Sequence, residues 1–199
     1  MTNKRPLSYS QMSCFAYNKN EWYERYVLGK KGLPNKTMQF GSMVGRRYAE
    51  DPTFLPFLPR YPVFEQKLLC SYEGIDLIGF IDSFDEVNKK IIELKTGAFW
   101  DEDKVNAHYQ LDFYVLCCLL MYGWMPEEID LKLIWLPTSE QGDFSMNFSG
   151  EPAKIFQTKR TLKGIEKFGK KLKKTWEKME ELRENRLPPN LGQVDPSVE

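Results

Sequence analysis

Apolar residues change their spacing several times along this chain, and each change predicts an element. Val63 to Ser71 reads as a strand closed by a turn at Glu73-Gly74. Two further apolar runs, Ile75–Phe84 and Ile91–Leu94, flank the polar Asp85 to Lys90 and predict a β-hairpin. Glu128 to Leu136 places Ile129, Leu131, Leu133 and Trp135 on one side, as a strand does, and Asp143 to Phe148 is its expected pairing partner. Elsewhere the period is helical. A helix is expected from Lys104 to Tyr122, closed by Gly123. A longer amphipathic one, from Thr158 to Arg186, follows from Leu162, Ile165, Phe168, Leu172, Trp176, Met179 and Leu182. Near the start, Ser8 or Ser10 caps a first helix. Trp22, Tyr23 and Tyr26 suit a second ending near Gly29, and Met38 to Glu50 forms a third. Pro52 to Pro62, rich in proline and aromatics, is a loop or surface strap.

The hairpin carries charge that buried strands do not tolerate unless it is paired or put to use. Asp82 lies in one arm, Glu93 and Lys95 in the other. A turn centred on Asn88-Lys89 sets Val87 opposite Lys90, Phe84 opposite Glu93 and Asp82 opposite Lys95. Side chains alternate, so all three charges share a face with Ile78, Phe80 and Ile91; Leu77, Ile81, Ile92 and Leu94 lie opposite. Apolar residues on both faces call for helices on both sides of the sheet, an α/β architecture. Two carboxylates beside an ammonium suit a hard divalent cation such as Mg²⁺, which binds one or two carboxylates together with substrate phosphate. Asp82 and Glu93 are the candidate ligands, with the Leu94 carbonyl as a third. Lys95 is placed to steady charge developing on a phosphate.

Composition narrows the choices. The 199 residues suit one domain, here divided into an N-terminal helical segment (1–37), a core (38–150) and a C-terminal helix with tail (151–199). A formal net charge of zero predicts no strong whole-molecule attraction to nucleic acid. Basic character is instead local: Lys154 to Lys178 holds ten Lys or Arg against two Glu. Phosphate contact and a merely solvated helix face explain that run equally well. No apolar stretch is long enough to span a membrane, and the opening residues lack the apolar segment of a signal peptide. Cys14, Cys70, Cys117 and Cys118 show no CxxC spacing and read as buried thiols, so a cytoplasmic location is expected. His108 is the only histidine, which disfavours histidine-based metal sites and Ser-His-Asp chemistry. No GxxxxGK[ST] loop is present.

Asp82, ten intervening residues and then Glu93-Leu94-Lys95 resembles the D…ExK core of the PD-(D/E)XK nuclease superfamily. Leu7-Ser8-Tyr9-Ser10-Gln11-Met12 resembles the opening LSxSQL stretch of its RecB-like branch (CRISPR-associated and phage exonuclease-like). Phe40-Gly41-Ser42-Met43-Val44 is similar to the helix before its sheet, and Gln110 through Tyr114 to its QxxxY motif. The resemblance runs from residue 7 to about 190. It implies a restriction-endonuclease-like mixed sheet flanked by helices, an αβββαβ core with an N-terminal helical extension and a long C-terminal helix. It also implies a Mg²⁺- or Mn²⁺-dependent nuclease hydrolysing DNA, as an exonuclease or end-processing enzyme. Its setting would be DNA repair, recombination, a phage or CRISPR adaptation, alone or in a larger complex.

The family's pattern further implies that Gln110 and Tyr114 face the site and touch nucleic acid or orient the lysine. Arg46, Lys170 and Lys174 are candidate phosphate contacts. Glu65 resembles a position often acidic in the family, although a surface strand glutamate explains it more simply. Two departures matter. Asn18-Lys19 stands where many relatives have Cys-Pro, and no cysteine follows Leu187 to Gly192, so no iron–sulfur cluster is expected. Gly45 stands where the family often has a metal-binding His, leaving Glu50 as a possible substitute ligand. That second departure keeps open an alternative: a catalytically inactive nucleic-acid-binding or scaffold module on the same fold.

Overall fold

The computed structural model describes residues 5–30, 32, 34–97, 99–140 and 146–186. Its centre is a mixed sheet of six strands: β1 (Val63–Tyr72), β2 (Ile75–Asp85), β3 (Lys90–Gly97), β4 (Asp130–Glu140), β5 (Met146–Phe148) and β6 (Lys154–Thr158). β1, β2 and β3 form an antiparallel meander, β3 and β4 run parallel, and β4 pairs antiparallel with both β5 and β6. A parallel pair needs a crossover, and helices α4 (Glu102–Asn106) and α5 (Tyr109–Tyr122) supply it.

Both faces of the sheet are covered. On one, α1 (Tyr9–Tyr17), α5 and α6 (Leu162–Arg186) enclose a core that includes Leu7, Leu77, Ile81, Phe113, Leu133 and Leu172. Next to α1, the short α2 (Lys19–Trp22) runs into a π-helical turn, Tyr23–Val27, and buries Trp22 completely. On the other face, α3 (Lys36–Glu50) lays Val44 and Tyr48 against Ile92, Ile134 and Leu136. Asn35 caps α3 by accepting from Met38 N at 2.8 Å. The proline-rich strap that follows is pinned by Arg60, whose guanidinium donates to the carbonyls of Asp51 (2.9 Å) and Phe54 (2.6 Å) and to that of Tyr48. Among the described residues no helix is long and apolar enough to cross a membrane.

The structure departs from expectation in four places. The β2–β3 turn spans Glu86 to Lys89, not two residues, because the Asp85 carboxylate accepts from Asn88 N (2.9 Å) and Asn88 Nδ2 (2.7 Å) and closes a wider loop. Phe84 therefore pairs with Ile91 and Ser83 with Ile92, two residues from the expected register, and Ile91 packs with Leu77 and Ile81 instead of lying opposite them, while Ile92 and Leu94 join the other cluster. The helix expected from Lys104 to Tyr122 is two helices. Asp101 caps α4, accepting from Lys104 N at 2.8 Å, and His108 is extended (φ −81, ψ 100) between them, its ring edge-on to Tyr9 and Trp100. Lys154–Thr158 is strand, so the long helix starts at Leu162. The strand read from Glu128 begins at Asp130, after a short turn at Pro126–Glu128, and continues to Glu140. Its expected partner survives as Met146–Phe148; residues 143–145 of that prediction lie outside the described residues, as does Leu187 to Gly192.

Arg160 locks the β6–α6 junction to the crossover. It forms an ion pair with Asp112 of α5 while donating to Thr158 Oγ1 (2.7 Å) and the Val105 carbonyl (3.1 Å). Nothing in the hydrophobic pattern announced this buried pair.

Candidate active site

β2 keeps β1 along one edge but changes neighbour along the other. Near its start Leu7 pairs with it, donating to Asp76 O (2.7 Å) and accepting from Ile78 N (2.9 Å). At its end β3 pairs with Ser83, Phe84 and Asp85. Between these two pairings, side chains take over the ladder's role. Tyr114 OH donates to Phe80 O at 2.6 Å, and Leu94 N donates to Asp82 Oδ2 at 2.6 Å. Backbone groups that would otherwise go unpaired are thereby satisfied. Gly79 lies in this gap because a Cβ there would meet the Phe113 and Tyr114 rings at 3.3 and 3.4 Å.

The regular alternation also fails here. Ile81 and Phe84 are three residues apart yet share one apolar cluster. Across from Asp82 in β1, Glu65 has a left-handed backbone, φ 50, which costs a non-glycine residue about 1–3 kcal/mol. Strain of that kind concentrates where a strand must re-aim a side chain.

The opening gathers charge. Lys95 Nζ lies 2.5 Å from Glu93 Oε1 and donates to Gln110 Oε1 at 2.7 Å. Gln110 Nε2 in turn donates to Tyr114 OH at 2.6 Å. Lys95, Gln110, Tyr114 and the Phe80 carbonyl thus form one chain of hydrogen bonds. Gln110 and Tyr114 sit one helical turn apart on α5, which puts both on one face, Tyr114 reaching β2 and Gln110 reaching Lys95 of β3. Burial, together with repulsion from Glu93, pushes the Asp82 carboxyl well above the usual carboxylate range. Burial alone would lower Lys95, but the charge and hydrogen bond of Glu93, with Asp82 adding to them, hold its ammonium above the ordinary value. Burial, with Glu93 and Asp82 near, also raises Tyr114 well above the phenol's usual value, so its hydroxyl remains a donor.

Whether a cation suits this place turns on the acids. Glu93 is 3 % exposed, and its Oε2 is buried with no hydrogen-bond partner. Lys95 already meets the other oxygen, so what stays open is one buried acceptor, which costs about 1–3 kcal/mol while it has no partner. Asp82, beside it, spends Oδ2 on Leu94 N. Two acids that repel each other, one with an orphaned oxygen, fit a divalent ion. Among the described residues no three His, Cys, Asp or Glu side chains cluster as a ready-made metal cage, so further ligands must be carbonyl, water or substrate.

A cavity of about 500 Å³ opens over these groups, lined by Asp82, Glu93, Leu94 and Lys95 from the sheet and by Gly45, Arg46 and Glu50 from α3. A smaller one of about 180 Å³ shares Asp82 and Glu65 with it and reaches Ser8, Ser10, Gln110 and Tyr114. Asp82, Glu93, Leu94, Lys95, Gln110, Tyr114, Arg46 and Glu50 therefore converge on one cleft, with Arg46 and Glu50 exposed at its rim. Lys170 and Lys174 do not line it; they are exposed on α6. His108 is neutral, its pKa lowered to about 4 by burial and by the Lys95 charge. Cys117 and Cys118, on α5, are buried, with Cys14 and Cys70 partly covered.

The sequence reading assigned Glu65 to the strand surface and did not place the start of α1, Ser8 to Ser10, at the cleft. Glu65's kinship to an acidic family position was the available signal. Its backbone conformation had none.

A family model for the PD-(D/E)XK nuclease superfamily matches residues 40–190. Solved structures share the fold at low identity. A candidate exonuclease from Eubacterium rectale matches at 12 % identity with a TM-score of 0.60, over 94 % of this chain and 84 % of that one. A phage-related exonuclease from Haemophilus somnus 129PT matches at 13 % identity and TM-score 0.55, over 83 % and 81 %. LHK-Exo in complex with dAMP matches at 12 % identity and TM-score 0.50, over 90 % of both chains. No curated protein sequence matches. With the D…ExK residues meeting at the split between β2 and β3, and the family model covering three-quarters of its length, this chain belongs to the PD-(D/E)XK nuclease superfamily.

Proposed function

We propose that the protein is a divalent-metal-dependent deoxyribonuclease that hydrolyses phosphodiester bonds, acting as an exonuclease or end-processing enzyme. The carrying observation is that Asp82 and Glu93 line one cavity beside the Lys95 ammonium, with Glu93 Oε2 buried and without a partner. Asp82, Glu93 and the Leu94 carbonyl would hold Mg²⁺ or Mn²⁺, with Glu50 at the rim as a further ligand; such an ion polarises a scissile phosphate and activates water. The chain's own groups do the rest. Lys95, held charged, serves as a fixed cation for the negative charge that builds on phosphate oxygens. Gln110 and Tyr114 fix the ammonium's direction, so that no reorganisation is needed as charge develops. Arg46, which lines the mouth, would meet a flanking phosphate. Lys170 and Lys174, outside the cleft, add only longer-range attraction to the nucleic acid.

DNA as substrate draws support from the family and from the exonuclease names of the structural neighbours. The test is cleavage of end-labelled single- and double-stranded DNA, with matched RNA, in Mg²⁺ or Mn²⁺. Asp82→Asn, Glu93→Gln and Lys95→Ala should each lower cleavage by about 10²–10³ or more, in line with losing one transition-state contact. Wild-type protein that binds DNA yet cuts no strand would reverse the reading in favour of an inert binding module.

A further inference from the structure

The outer face of the β1–β2 hairpin leaves apolar surface uncovered beside the cleft. Phe80 is 47 % exposed and Leu69 53 %, although both lie in the middle of paired strands. Ladder register sets Lys67 next to Phe80 and Leu69 next to Ile78, so these four side chains form one contiguous patch. It adjoins the site: Ile78, Phe80 and Asp82 alternate along β2, and all three line the smaller cavity together with Ser8, Ser10 and Gln110. Tyr114 holds the Phe80 carbonyl, which fixes this aromatic in place two residues from a candidate catalytic carboxylate.

A protein spends free energy to keep a phenyl ring in water, and a ring next to a phosphate-handling cleft invites a flat apolar partner. Nucleobases have such faces, and stacking on an aromatic side chain tolerates any base. Lys67, exposed alongside, offers a charge for the backbone phosphate of the same strand. We infer that Phe80 is a base-stacking platform: it receives an unpaired nucleobase adjacent to the scissile phosphate and so makes the protein select single-stranded or frayed ends. The inference rests on the nuclease reading of the cleft and adds to it a residue that determines substrate class.

The test uses the full chain in EDTA, so that binding is read without cutting. Fluorescence anisotropy is measured on a single-stranded oligonucleotide series in which one base at a time is made abasic. With the wild type, one position near the end should lose about tenfold in affinity when its base is removed. Phe80→Ala should bind the intact strand about tenfold more weakly and show no further loss at that position, whereas Phe80→Trp should restore both. Phe80→Leu, apolar but unable to stack, should behave like Phe80→Ala.

Equal affinities for wild type and Phe80→Ala, or the same abasic penalty in both, overturn the inference. So does a change of oligomeric state in Phe80→Ala by sedimentation, which would make the patch a contact between copies of the chain. Cleavage of DNA by the wild-type protein in Mg²⁺, run alongside, separates the two ideas. Cutting with no role for Phe80 sinks only the platform, and absence of cutting by any preparation sinks the reading beneath it.

Discussion

Tyr114→Phe removes one oxygen atom and two hydrogen bonds, which makes it the sharpest probe of the gap in the β2 ladder. The hydroxyl donates to Phe80 O and accepts from Gln110 Nε2, each at 2.6 Å, and Tyr114 itself is 3 % exposed. Without it, the Phe80 carbonyl loses the donor that stands in for a strand neighbour, and the Gln110 amide loses an acceptor. A buried polar group stripped of its partner costs about 1–3 kcal/mol. Taking the low end for each group gives a net loss of about 2 kcal/mol. For a domain of this size that lowers Tm by about 4–8 °C, readable by circular dichroism, with a parallel fall in the urea midpoint at unchanged slope.

Function should suffer as well. Lys95 keeps Glu93 but loses a firmly held Gln110, and kcat should fall about tenfold, equivalent to about 1.4 kcal/mol of transition-state stabilisation. Because Gln110 and Tyr114 act through one bonded chain, Gln110→Leu combined with Tyr114→Phe should cost less than the sum of the two, by about 1 kcal/mol. A Tyr114→Phe protein with Tm within about 1 °C of wild type would refute the claim that this hydroxyl replaces a missing strand contact.

Other outcomes follow from the same geometry. Asp112→Ala strands the Arg160 guanidinium in the crossover and should cost about 3–5 kcal/mol in chemical denaturation, whereas replacing both partners with apolar residues of similar size should recover most of it. His108 has a pKa of about 4 in the fold, below its unfolded value of about 6.5; its contribution is therefore complete above pH 6.5 and is lost as pH falls toward 4, up to about 3 kcal/mol. His108→Phe should flatten that stretch of the stability–pH curve, and a curve that keeps its slope would contradict the buried neutral ring. Gly79→Ala should destabilise by about 1–3 kcal/mol, since the Tyr114 ring it presses on is tethered at its far end; an unchanged urea midpoint would disprove that tight contact. Mn²⁺ at a hundred times its dissociation constant should raise stability by about 2.7 kcal/mol, and Glu93→Gln should abolish the rise as measured by thermal shift.

Much of this architecture was written in local patterns. Strand and helix periods are properties of neighbouring residues, so the three-strand meander, the α3 and α5 helices and the long C-terminal helix could be read directly from the spacing of apolar positions. Asp82, Glu93 and Lys95 line one cavity, but plain alternation does not account for it, since the alternation of β2 breaks between Ile81 and Phe84 opposite the left-handed Glu65. What local pattern does not contain is which backbone groups find which partners. The Asp85–Asn88 bonds widened the turn and shifted the pairing by two; the packing of His108 against Tyr9 and Trp100 accompanies the break between α4 and α5.

The cleft itself depends on tertiary structure. It exists because Leu7 and β3 claim separate parts of one edge of β2, leaving an interval that only a tyrosine from a distant helix and a carboxylate from the strand itself can fill. Contacts between residues so far apart in the chain leave no periodic trace. The sequence therefore carried the spacing of Asp82, Glu93 and Lys95, while only the folded chain decided that Lys170 and Lys174 stay outside the cleft, how its groups are held, which oxygen remains bare and which ring stays in water.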